Sequence, residues 1–199
     1  MPPAARTVRF SRLVDLSVPI RPRTPMCPAY PPDAPFHFEP DGKRLEDVPL
    51  ETFVAPGHVL DVRGLAAKGA ILPRHLTAAR RAAPNRVRHG DAILLRTGWW
   101  ERRRRTSAYL SENPGLTGAG ARLLVEWGAG IVGIDTANVD RPNDATYPAH
   151  HALLRADVPI IENVANLRAL RSSTFLLLAL PLRLEGVSGS PIRLVALTE

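Results

Sequence analysis

The 199-residue chain holds a single cysteine, Cys27, so no disulfide can form within it. No apolar run reaches the roughly 18 residues that a membrane-spanning helix needs. The opening Met-Pro-Pro-Ala-Ala-Arg lacks the charged-then-apolar layout of a secretory signal. These absences set the expectation of a cytoplasmic protein with no membrane partner. Lysine is scarce as well: Lys43 and Lys68 are the only two. The net charge of +7 is therefore carried mainly by arginines. They are scattered along the chain and not gathered into a track for phosphates. The one dense run, Arg102 to Arg105, follows Trp99-Trp100-Glu101 and reads as the exposed face of a helix. No recognised nucleic-acid module occurs, so no nucleic-acid partner is expected. Histidine is missing from Met26-Cys-Pro-Ala-Tyr-Pro-Pro32, just ahead of the first residues that carry chemistry.

What is present fits one domain. The length is enough to bury a core, and the apolar content of 45% is ordinary for a globular chain. Residues 1–9 read as a flexible amino-terminal segment and 10–199 as the domain. Residues 21–35 hold Pro22, Pro25, Pro28, Pro31, Pro32 and Pro35, a density that excludes helix or central strand and predicts an extended loop. Strands are predicted over 13–20 (cut by Pro19), 57–63, 91–97, 131–135, 159–162, 174–180 and 192–197. Helices are predicted over 76–83 (ended by Pro84), over 117–127 with Thr117 as N-cap, over 150–156 and over 166–170. Strands alternating with short helices predict a single α/β domain.

Four residues stand out chemically: Asp33 and His37 in one segment, His150 and Glu162 in another more than a hundred residues away. Carboxylate oxygen and imidazole nitrogen are the donors that a divalent cation takes. A hydrolytic metal site uses about three protein ligands and leaves a position open, and Asp33, His150 and Glu162 make that number. An imidazole outside the ligand set, His37, is suited to moving protons. Cys27 is a candidate further ligand as thiolate, whereas the Pro31 side chain can bind nothing. Plainer readings stand beside these. Asp33 between prolines is also a good turn residue. His37 between Phe36 and Phe38 is also a half-buried strand residue, and Cys27 an inert small one. Glu162, after an apolar strand, requires a partner on either reading. The twelve-residue spacing to Glu162 favours His150 over His151, which reads as a surface neighbour. His58, His75 and His89 show no chemistry. Trp99, Trp100 and Tyr147 read as core or pocket wall, with Trp99 the one to meet an aromatic substrate.

Several blocks, in order, carry a likeness: Arg12-Leu-Val-Asp-Leu-Ser-Val-Pro-Ile20, Asp33-Ala-Pro-Phe-His37, Pro40 to Leu50, Gly90 to Trp99, Gly133-Ile-Asp-Thr-Ala-Asn-Val-Asp140, Ile161 to Leu167 and Gly189-Ser-Pro-Ile-Arg193. The chain resembles the cyclase family of metal-dependent hydrolases, which includes bacterial kynurenine formamidases and isatin hydrolase. The family motif His-x-Gly-Thr-His-x-Asp-x-Pro-x-His is matched over its last five positions by Asp33 to His37. Its earlier positions fall on Cys27, Ala29, Tyr30 and Pro31. The resemblance implies a mixed β-sheet with flanking helices of the swivelling β/β/α kind, assembled as a homodimer. It implies Asp33 as a metal ligand, His150 and Glu162 as the distal ligands, and His37 as general acid/base. The implied cation is zinc, with manganese as the alternative. The implied reaction is hydrolysis of a small amide or lactam such as N-formylkynurenine, an arylformamidase step of tryptophan catabolism. The alternative is a family member without catalysis, acting as a binding or dimer-forming protein.

Overall fold

The computed structural model describes residues 9–18, 33–83, 85–171 and 174–199. Cys27, the proline-rich stretch up to residue 32 and the first eight residues lie outside them. In chain order the strands are β1 (Arg12–Asp15), β2 (Val54–Asp61), β3 (Ala70–Ile71), β4 (Ala92–Arg96), β5 (Gly115–Leu116), β6 (Ile131–Ile134), β7 (Ile160–Ile161), β8 (Thr174–Leu178) and β9 (Val195–Thr198). The helices are α1 (Pro73–Ala82), α2 (Trp99–Arg103), α3 (Ala108–Ser111), α4 (Gly118–Glu126) and α5 (Pro148–Leu154). Short 3-10 turns occupy Pro35–His37, Leu45–Asp47, Leu50–Phe53 and Leu167–Ala169.

One mixed sheet runs β1-β9-β8-β2-β4-β6-β7, parallel from β2 to β7 and antiparallel from β1 to β2. Helices flank it, as the alternating pattern predicts. The parallel half is apolar without interruption because both its faces are covered. In β4, Ile93 and Leu95 face one cluster with Leu76, Leu124 and Leu153 of α1, α4 and α5. Ala92 and Leu94 face the other, with Phe53, Phe175 and Leu177. Leu94 lies over its β6 partner Gly133, where a Cβ would come within 2.4 Å of Leu94 Cδ2. That position therefore takes no side chain.

Where element bounds differ from expectation, the cause is local. Strand β2 begins at Val54, ahead of the expected Gly57, and passes through Pro56. Pro56 pairs only with β8; β4 joins at Gly57, so the missing N–H removes no ladder bond on the β4 side. Helix α1 starts at Pro73, not Leu76, since proline at the first helical position has its φ already set. Strand β1 stops at Asp15, whose Oδ1 accepts the Ser17 N–H at 3.0 Å. The stretch expected to be helix over 166–170 is a single 3-10 turn. The β3–β5 ribbon and α3 are too short to leave a periodic signal. Arg102 to Arg105 are exposed, and the α2 helix ends at Arg103. The guanidiniums of Arg103 and Arg104 lie 5.6 Å and 4.5 Å from the Trp99 and Trp100 ring centres. Among the described residues no helix is long and apolar enough to cross a membrane.

Thr117 caps α4 as predicted: its Oγ1 accepts the Gly120 N–H at 3.1 Å. Thr117→Ala is expected to cost about 1 kcal/mol, read as a lower thermal midpoint with unchanged far-ultraviolet dichroism.

Candidate metal centre

The carboxyl ends of the parallel strands bring the two distant segments together. Glu162 directly follows β7. Asp33 forms an isolated antiparallel bridge with Ile160, its N–H donating to the Ile160 carbonyl at 2.9 Å. Directly paired residues project to the same face, and so do residues two apart on a strand. Asp33 opposite Ile160 therefore shares a face with Glu162. His150 arrives from the first turn of α5, which packs against β7.

The three groups converge. His150 Nε2 lies 3.7 Å from Asp33 Oδ2 and 3.5 Å from Glu162 Oε1. One donor atom from each residue lies within 4.8 Å of the others, and this is the only such cluster among the described residues. Donors held about 2.1 Å from a tetrahedral cation stand roughly 3.4 Å apart, so the spacing suits an ion. The side chains are buried, with Asp33 exposed by 1%, His150 by 3% and Glu162 by 6%. Asp33 Oδ1 is buried with no hydrogen-bond partner. A buried carboxylate oxygen left unpaired is costly, and a cation relieves it. The donor set, two carboxylates and one imidazole, fits a divalent metal.

Around these lies a set of supporting contacts. Glu162 Oε1 accepts the Val139 N–H at 2.8 Å. Asp140 Oδ2 lies 2.7 Å from His150 Nδ1. His37 sits at the end of the 3-10 turn Pro35–His37, half-buried, its ring centre 6.5 Å from that of His150. Its Nδ1 is 2.9 Å from Ser188 Oγ. Phe38 packs on the His150 ring at 4.4 Å between centres, and Tyr147 packs on Phe38 at 5.2 Å. His151, expected to be a surface neighbour, is partly covered and meets Glu39 Oε1 at 2.7 Å.

Trp99, expected to meet an aromatic substrate, is 2% exposed and packed with Tyr109 and Ala137, its Nε1–H donating to the Tyr109 carbonyl at 3.2 Å. The aromatic rings beside the centre are Phe38 and Tyr147. His58 is buried with Nε2 2.7 Å from Asp91 Oδ2. It lines a cleft of about 770 Å³ with Arg88 and Trp127 at the amino ends of the parallel strands, away from the cluster. Asp140, Ser188 and Phe38 were not singled out from sequence. Asp140 had a usable cue, an acid ten residues before a histidine ligand candidate. Ser188, 151 residues from His37, had none.

Protons compete for this site. Burial alone would lower His150, but the hydrogen bond of its ring to Asp140 and the nearby carboxylates of Asp33 and Glu162 outweigh it and raise it to about 9. Burial raises Glu162, with His150 drawing it down and Asp33 pushing it up. Both shifts favour the protonated forms in the metal-free chain, and protons held there compete with a cation. Metal affinity is expected to rise with pH, because the protonated forms that both shifts favour cannot bind a cation. Titration calorimetry in buffers of different ionisation enthalpy counts those protons; an affinity that does not change with pH would contradict the assignment.

Comparison with known proteins gives a consistent picture. Residues 14–141 match the family model described as "Putative cyclase". A kynurenine formamidase of Bacillus cereus is 32% identical over 165 residues, which cover 82% of this chain and 72% of that protein. Isatin hydrolase A from Labrenzia aggregata, solved with benzyl benzoate bound, superposes with a TM-score of 0.79 at 25% identity, over 94% of this chain and 93% of that one. Isatin hydrolase A from Ralstonia solanacearum superposes with a TM-score of 0.75 at 28% identity, over 84% and 70%.

Proposed function

Because the chain belongs to the cyclase family, whose relatives here are hydrolases, we propose that it is a metal-dependent hydrolase of a small amide or lactam. The observation that carries this reading is the buried convergence of Asp33, His150 and Glu162, with Asp33 Oδ1 unpaired. These three residues would hold the ion, zinc in our reading and manganese as the alternative. When bound, a divalent cation lowers the pKa of water to about 7 and polarises a carbonyl oxygen.

The chain's own groups do the rest. His37 stands beside the cluster without belonging to it, and Ser188 holds its Nδ1 side. Its other nitrogen takes the proton from the attacking water as the C–O bond forms. It then returns that proton to the leaving nitrogen as the C–N bond breaks, giving a carboxylic acid and an amine. For a lactam the two products remain one molecule. Phe38 and Tyr147 offer ring faces for an aryl group, and Phe38 also screens His150 from water. An aryl formamide such as N-formylkynurenine suits this wall, and the Bacillus relative is named a kynurenine formamidase. The same reading includes a homodimer, for which Leu180, Leu182 and Leu184 offer exposed apolar surface.

Elemental analysis of the purified chain, together with turnover of N-formyl aryl amides and lactams, tests the reading. Bound metal is expected, with activity lost to a chelator and restored by zinc or manganese. No metal and no turnover would leave the family fold serving as a binding or dimer-forming protein.

A further inference from the structure

Resting on the reading of Asp33, His150 and Glu162 as a metal centre, we propose that Asp140 is its positioning residue, fixing the His150 ring so that Nε2 faces the ion.

Helix α5 begins with Pro148, which has no N–H, after Tyr147, whose side chain makes no cap. The first free N–H groups, those of Ala149 and His150, both donate to Asp140, at 2.7 Å and 3.0 Å. A carboxylate eight residues upstream of Pro148 thus does the work of an N-cap. Its Oδ2 also lies 2.7 Å from His150 Nδ1. One carboxylate therefore grips both the helix start and the ring. With the ring turned this way, Nε2 is the nitrogen that faces Asp33 and Glu162. An imidazole that binds a cation through Nε2 carries its proton on Nδ1, and a carboxylate accepting that proton fixes the tautomer and strengthens the donor.

Asp140 is itself held in place from three sides. Its N–H donates to Asn138 Oδ1 at 2.7 Å. Its carbonyl accepts from Asn113 Nδ2 at 3.0 Å, and Asn113 is fully buried. Gly115 lies flush against the peptide that follows Asp140: a Cβ there would come within 2.3 Å of the Asp140 carbonyl carbon. Asp140 is 0% exposed, and no arginine or lysine among the described residues pairs with it. A fully buried carboxylate needs compensation, and Asp140 receives it from the Ala149 and His150 N–H groups and from the His150 ring.

Two measurements test the proposal. The first uses the unaltered chain loaded with zinc and labelled with ¹⁵N at histidine. The expected pattern is a proton on His150 Nδ1 and coordination at Nε2; the reverse pattern overturns the proposal without any variant. The second compares zinc dissociation constants, by competition with a chromophoric chelator, for the wild type, Asp140→Asn and Asp140→Ala. In Asp140→Asn the amide can offer N–H to Nδ1, which favours the wrong tautomer. Zinc binding is expected to weaken by about 10–100-fold, with the Nδ1 proton signal lost. If Asp140→Asn binds zinc as tightly as the wild type, the positioning role is refuted while the metal centre stands. If the wild type binds no zinc, the metal centre falls first and this role falls with it.

Discussion

Glu162→Gln is expected to abolish tight metal binding and to lower kcat/KM by roughly 10²–10⁴, the several kcal/mol of charge stabilisation that a cation supplies. The substitution removes a donor from a three-member set while keeping the shape and an oxygen for the Val139 N–H. Folding is not expected to suffer. In the metal-free chain Glu162 is buried beside Asp33, and both conditions work against its charge. A neutral amide is thus tolerated at this position. Thermal melts separate the two effects. Zinc raises the midpoint of the wild type by mass action on the folded state, and this rise is lost in the variant. A variant that keeps its metal and its turnover would place the centre elsewhere.

His37→Asn is expected to show the opposite division. Metal content stays at the wild-type level, because His37 is not among the converging donors. The catalytic rate falls by about 10²–10⁴, the usual contribution of a placed acid or base. The loss appears in kcat, since the proton moves only as bonds form and break. Taken together, the two variants separate holding the ion from moving the proton. If His37→Asn lost the metal, His37 would have to be counted as a ligand. If it kept full activity, another group would have to carry the proton.

Much of this site was legible because its residues are of types that a core does not need. Glu162 follows an apolar strand, where a carboxylate has no packing role, and the structure gives it His150 as partner. The sheet centre was legible for a simple reason: β4 and β6 are covered on both faces and so read as unbroken apolar runs. Thr117 was readable as a cap because capping is a local event. What stayed hidden depends on long-range pairing. The Asp33–Ile160 bridge joins segments with no local cue, so the sequence named the two segments without saying how they meet. Ser188 reaches His37 from the far end of the chain. Trp99 misled for the converse reason: a large ring suits a core as well as a pocket, and only the packing of Tyr109 and Ala137 decides between them.

Asp33 overlaps the β7 edge of the sheet through a single bridge to Ile160, with a second bridge to Gly189 outside the sheet. A cation gripping Asp33, His150 and Glu162 would act as a rivet through that overlap. It would close a loop of more than a hundred residues, which loses little more entropy to close than a far shorter one. Stripping the ion would then loosen the overlap before the sheet beneath it. Deuterium would enter the amides of residues 33–37 first, while those of β4 and β6 stayed shut.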